Sequence, residues 1–123
     1  MKSVHLSSIS KDPIYKQLFE QLSSQIINRE LPTDYPLPSI RIAAKELRIS
    51  IITVKKAWEE LEKNGFIYTI PGKGCFVSKL SKDDILAKSE DMILEKLRKD
   101  FEYYKSISLS KDKLIEYIRI HYE

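Results

Sequence analysis

The chain has 123 residues, 42 % of them hydrophobic, which suffices for one small domain with a core, or for one domain with an appendage. Its net charge of +3 is weak evidence by itself, and a single cysteine, Cys75, excludes an internal disulfide. No apolar run approaches the roughly 18 residues of a membrane span, and Met1-Lys2-Ser3-Val4-His5 lacks the apolar stretch of a secretory leader, so a cytoplasmic protein is expected.

The first predicted element is a helix beginning at Asp12-Pro13, where Asp can accept from free N–H groups and Pro supplies the right φ at the first helical position. Ile14, Leu18, Leu22 and Ile26 recur every four residues, widened by Tyr15, Phe19 and Ile27, so one face of residues 13–30 is expected to be buried. Pro32, Pro36 and Pro38 then make Leu31–Pro38 an extended or turning connector. Ser39 caps a short helix whose apolar positions are Ile40, Ala43, Ala44 and Leu47, and Ser50 caps another with Val54, Ala57, Trp58 and Leu61 facing inward. Ile51-Ile52-Thr53-Val54 are all β-branched and favour a strand locally, but the cap and the helical spacing through Leu61 outweigh a preference of about tenths of a kcal/mol per residue. Asn64-Gly65 supplies a left-handed stop.

Phe66–Ile70 and Cys75–Ser78 are expected to form a β-hairpin across Pro71-Gly72-Lys73-Gly74. Ser81, followed by Asp83 and Asp84, caps a long helix carrying Leu86, Ile93, Leu97, Phe101 and Tyr104. Ser106–Leu109 connects it to a last helix, capped by Ser110 and marked by Leu114, Ile115, Ile118 and Tyr122. Two such helices with little else to cover them leave an apolar stripe that usually meets another chain, so a homodimer is expected. The predicted fold is therefore mainly α with a small β-hairpin, in a domain over residues 1–78 and a two-helix dimerisation segment over 79–123. The two helices joined by few residues at 48–50 suit helix-turn-helix geometry, which many plain helical hairpins also satisfy. The charge divides in the same way: residues 1–78 carry 11 Lys and Arg against 8 Asp and Glu, whereas residues 79–123 carry 10 of each.

Five groups of residues resemble the GntR family of bacterial transcription regulators in order and spacing. They are Pro13-Ile14-Tyr15 with Gln17, Leu37-Pro38-Ser39 with Arg41, Ser50 with Thr53-Val54, Leu61-Glu62 with Gly65, and Gly72-Lys73-Gly74 with Phe76-Val77. The match covers about residues 12–78, and the short helical tail is similar to the YtrA-type subfamily. This resemblance implies a winged helix-turn-helix with the helix after Ser50 in the major groove and the hairpin as a wing over the minor groove or phosphates. It also implies DNA contacts by Arg41, Ser50, Ile52, Thr53, Lys55, Lys56, Gly72 and Lys73. Ser50 serves equally well as a cap, and the two roles are compatible. A dimeric repressor on a pseudo-palindromic operator follows, with its own gene or a neighbouring membrane-transporter operon as target. An unidentified small-molecule effector, acting on the relative orientation of the two winged domains, is a further expected partner.

The chain also departs from the family pattern. Ile51 stands where a basic residue is usual, and either it or Ile52 contacts a thymine methyl or packs inward. Asp34 and Arg48 replace glycines, and Arg48 is a further candidate phosphate contact at the cost of slight strain. Cys75 replaces a usual Thr, so it is either a redox switch beside the wing or an inert half-buried thiol; its flanking strand favours the second. His5, His121 and Cys75 lack metal-ligand spacing, no nucleophile pairs with a base, and Gly72-Lys73-Gly74 is too short to cradle a phosphate, so neither a cofactor nor an enzyme is expected. Tyr103, Tyr104, Tyr117 and Tyr122 are read as dimer core rather than the lining of a ligand pocket. The alternative function is a winged fold that binds protein, which steep salt dependence would separate from DNA binding.

Overall fold

Proline begins the first helix, though not as the cap arrangement above expects. In the computed structural model, which describes residues 4–123, Pro13 is the N-cap itself (φ −56, ψ 149) and makes no side-chain capping bond. Asp12 does not cap: its carboxylate lies 3.8 Å from Lys16 Nζ, and its carbonyl accepts from Gln17 Nε2 at 2.9 Å. The helix, α1 (Ile14–Ile27), ends sooner than the expected residue 30, because Arg29 turns to φ 59. Leu18, Leu22, Ser23 and Ile26 form its buried face. The first three residues of the expected 1–78 domain lie outside the described residues.

Helix α2 (Ile40–Leu47) starts on Ser39, whose Oγ accepts from the Ile42 N–H at 3.2 Å, and buries Ala43 and Ala44. Arg48 ends it in the left-handed region (φ 56, ψ 45). After this corner α3 (Ile51–Lys63) starts on Ser50 and buries Val54, Ala57, Trp58 and Leu61. The β-branched run is thus helical; Ile51–Thr53 occupy the first turn, where no preceding turn crowds their side chains. Gly65 (φ 77) closes α3, with the Phe66 N–H donating back to the Leu61 carbonyl at 2.9 Å.

Strands β1 (Ile67–Ile70) and β2 (Gly74–Val77) pair antiparallel with Tyr68 opposite Phe76 and Thr69 opposite Cys75. The proline connector joins them, which its sequence did not suggest. Pro36 bridges Phe76, Asp34 N–H donates to the Val77 carbonyl at 2.8 Å, Val77 N–H to Tyr35 at 3.0 Å, and Leu37 N–H to Cys75 at 2.9 Å. Proline suits this outer position because the edge of a sheet requires no N–H from it. The core lies where α1, α2 and β1 pack on α3, and Phe66, fully buried, meets Phe19 edge-on with ring centroids 6.1 Å apart.

The chain divides into two compact units, one ending at Ile85 and one spanning Leu86–Glu123. Helix α4 (Lys82–Ser106) runs through the division. It opens with a reciprocal cap, the Asp84 N–H donating to Ser81 Oγ and the Ser81 N–H to Asp84 Oδ2, both at 3.0 Å. Helix α5 (Lys111–His121) opens on Ser110, which accepts from the Lys113 N–H at 3.1 Å. Neither α4 nor α5 buries a residue in the single chain. The architecture is the expected one, mostly helical with one small hairpin.

Candidate nucleic-acid interface

Ser50 organises the start of α3. Its Oγ accepts from the Thr53 N–H at 3.1 Å and lies 2.7 Å from Thr53 Oγ1, so both hydroxyls are held at the helix entrance. With four core-facing residues fixing the inner side of α3, the exposed Ile51, Ile52, Lys55, Lys56 and Glu59 fall on its remaining faces. Ile52 is 79 % exposed, which settles its direction as outward; Ile51 is half-exposed. Lys55 is exposed, while the Lys56 ammonium sits 4.0 Å above the centre of the Tyr15 ring, leaning toward α1. Arg41 is exposed two residues after the Ser39 cap, and Arg48 is exposed at the corner between the two helices.

At the hairpin tip the Lys73 N–H donates to the Ile70 carbonyl at 2.9 Å, and Lys73 is exposed. Gly72 has φ 77, with nothing within 4 Å of where a Cβ would stand, so its glycine answers to backbone conformation rather than lack of space. Cys75 is half-buried in β2 with Sγ 3.4 Å from Thr69 Oγ1. The candidate contacts thus form two groups on one unit, the α2–α3 pair and the hairpin tip.

Three supporting features escaped the sequence reading. Tyr68 Oη donates to Asp34 Oδ1 at 2.6 Å, tying the connector to the hairpin, while Asp34 takes φ 65 and Tyr68 stacks on Phe76 at 5.6 Å. That bond, with desolvation and the Asp34 charge adding to it, pushes the Tyr68 phenol above the ordinary tyrosine value. The segment before α1 is held by two glutamines one turn apart. Gln17 exchanges bonds of 2.8 and 2.9 Å with the Ser7 backbone, and Gln21 bonds of 2.8 and 2.6 Å with that of His5. Third, the bridge from Pro36 makes the wing's base broader than a hairpin. The four-residue spacing of Gln17 and Gln21 was a usable signal; the Asp34–Tyr68 pair, 34 residues apart, offered none.

In the C-terminal unit Leu86, Ile93, Leu97, Phe101, Ile118 and Tyr122 are exposed, and Tyr104 and Leu114 half-buried. Tyr103 meets Tyr104 edge-on at 6.0 Å and Tyr117 lies 6.5 Å from the His121 ring. Among the described residues no three His, Cys, Asp or Glu side chains are grouped to hold a metal, and no helix is long and apolar enough to cross a membrane.

Three helices with a short corner between the second and third, followed by a hairpin, define a winged helix-turn-helix, the class of module that places its third helix on DNA. Residues 14–77 match the family of bacterial regulatory proteins called gntR, and the chain belongs to that family. It is a YtrA-like DNA-binding transcription regulator rather than an enzyme. It is 30 % identical over 118 residues to the HTH-type transcriptional repressor YtrA of Bacillus subtilis, covering 94 % of this chain and 89 % of YtrA. The HTH-type transcriptional repressor NagR of Bacillus subtilis is 42 % identical over 83 residues, or 68 % of this chain, which spans only 34 % of NagR. Among solved structures, the AraR DNA-binding domain in complex with operator ORR3 superposes with a TM-score of 0.52 and 30 % identity, over 60 % of this chain and 89 % of that one.

Proposed function

We propose that this protein is a dimeric, sequence-specific repressor that lays α3 in the major groove and its hairpin over the minor groove of a pseudo-palindromic operator. The observation that carries the reading is the Ser50-capped α3, whose inner face is buried and whose first two turns present Ile52 and Lys55 outward, with the exposed Lys56 beside them, its ammonium over the Tyr15 ring and within reach of a phosphate. Arg41, Ser50, Thr53, Gly72 and Lys73 supply the remaining contacts, the cations and hydroxyls to phosphate and the glycine by letting the wing backbone come close. Arg48 adds a phosphate contact at the corner. The repressor names of NagR and YtrA, and the operator bound to the AraR domain, support the same reading.

Dimerisation is assigned to α4 and α5. Along α4, Leu86, Ile93, Leu97, Phe101 and Tyr104 follow steps of seven, four, four and three residues, the spacing of a seam that buries against a second helix. Leu114 and Ile118 of α5, with Tyr122 at its C-cap, extend the apolar surface. Two-fold pairing of the chain requires a two-fold-related DNA site. The promoter of its own gene or of a neighbouring membrane-transporter operon is the assigned target, and a small-molecule effector acts by changing how the two winged domains are oriented.

Fluorescence anisotropy against the promoter upstream of its own gene, at two salt concentrations, tests this reading. Preference for the promoter over scrambled DNA is expected, with a steep loss on raising salt, and Lys55→Ala, which removes one phosphate contact from each protomer, should weaken all sequences and reduce the salt slope by about two. Equal, salt-insensitive binding to both DNAs refutes it. In parallel, Leu97→Glu should shift the sedimenting species from dimer to monomer; an unchanged dimer would move the interface elsewhere.

A further inference from the structure

We propose that the first turn of α3 reads thymine through its C5 methyl group, with Ile52 as the reading side chain; this rests on the DNA-binding function proposed above. At about 100° per residue, Ile52 lies close to the pole of α3 opposite the mean direction of Val54, Ala57, Trp58 and Leu61. It is 79 % exposed on a helix whose core-facing members are at most 4 % exposed. An isoleucine held in water at that pole gains free energy only when something apolar covers it.

The rest of the turn leaves base reading to apolar contact. Ser50 Oγ accepts from the Thr53 backbone at 3.1 Å and pairs with Thr53 Oγ1 at 2.7 Å, so the two hydroxyls are committed to the helix entrance and to whatever phosphate meets it there. Ile51, the other leading residue, is also apolar and 45 % exposed. The nearest cations stand further along, and Lys56 is drawn 4.0 Å over Tyr15. In the major groove every base-pair edge is a pattern of donors and acceptors except at one group, the thymine methyl. Isoleucine against that methyl excludes water from two apolar surfaces. Against guanine N7 and O6, or the cytosine and adenine amino groups, it strips water from polar atoms and returns no hydrogen bond. The discrimination therefore acts from both sides, and each operator half-site carries a thymine facing Ile52.

The test begins with selection of preferred duplexes from a random library by the full-length protein. Each thymine of the selected site is then replaced in turn by deoxyuridine, which deletes one methyl group and leaves the Watson–Crick edge unchanged. Wild-type protein should lose about fourfold in affinity at one position per half-site, the equivalent of one buried CH₂-sized group. Ile52→Ala should bind the thymine and uridine duplexes equally at that position, and Ile52→Arg should select guanine there instead. The inference is overturned if wild type tolerates every uridine, or if Ile52→Ala shows the same loss as wild type, since the methyl would then act through DNA shape or another residue. Both outcomes leave the regulator reading standing. Selection that enriches no sequence, with binding indifferent to salt, would instead remove the DNA-binding function itself.

Discussion

Two substitutions on α3 separate what the helix contributes to the fold from what it presents outward. Leu61→Ala and Ile52→Ala each delete three carbons, but Leu61 is 0 % exposed and Ile52 is 79 % exposed. At about 0.8 kcal/mol per buried CH₂, the transfer loss at Leu61 is about 2.4 kcal/mol. The cavity left in the core raises it to about 3–4 kcal/mol, within the range of buried leucine truncations. A unit of this size has a total stability of about 4–12 kcal/mol, so Leu61→Ala removes a large share of it. Ile52→Ala, whose carbons already face water, should stay within about 0.5 kcal/mol of wild type. The assay is urea unfolding followed by tryptophan fluorescence. Trp58 is the chain's single tryptophan, lies on α3 and is 4 % exposed, so its emission reports the winged unit. The midpoint should fall by more than about 1 M for Leu61→Ala and hardly move for Ile52→Ala. Equal shifts for the two variants would refute the assignment of inner and outer faces, and with it the outward pole on which the thymine reading stands.

Replacing Ser50 distinguishes its two roles. Ser50→Ala should cost about 1 kcal/mol, a fall of roughly 4–8 °C in the melting temperature, whereas Ser50→Asp keeps the cap but repels phosphate; it should melt near wild type and bind DNA more weakly, and unchanged DNA affinity would leave Ser50 as a cap alone. Arg48→Gly should stabilise the winged unit by about 1 kcal/mol by relieving its φ of 56, with a measurable loss of DNA affinity; a loss of thermal stability would contradict the strained corner. The Tyr68–Asp34 bond has a defined pH signature. Because folding raises the Tyr68 value, the stabilisation is complete below about pH 10 and disappears as pH rises through the folded value. The melting difference between wild type and Tyr68→Phe should therefore shrink on going from pH 8 to pH 11, and a difference constant with pH would dismiss the bond.

Local chemistry made much of this chain legible. Ser39, Ser50, Ser81 and Ser110 each announce a helix by a hydroxyl at its entrance, and each accepts the bond expected of it. The inward set of α3 was readable because Val54, Ala57, Trp58 and Leu61 repeat at helical spacing, strongly enough to override four β-branched residues. Asp12 misled for a physical reason: a proline following it can take the N-cap position itself, and the carboxylate is then drawn to Lys16. The early end of α1 depended on Arg29 adopting a left-handed conformation that its side chain does not advertise. Pairing between distant segments was the least visible. Nothing periodic links Pro36 to Phe76 or Asp34 to Tyr68, because those contacts are decided by how the connector crosses the sheet edge. On the interface, residue types suggested the outward cations, but the lean of Lys56 onto Tyr15 required the packing of α1 beside α3.

The glutamines of α1 carry a consequence for how such a protein behaves as its surroundings change. Gln17 and Gln21 clasp the preceding segment with neutral amides, and α2 and α3 are started by hydroxyls. None of these groups gains or loses a proton near neutral pH, and none is weakened by counterions. A cell that swings in potassium concentration thus tunes the grip of the cations on phosphate while the scaffold beneath them keeps its shape.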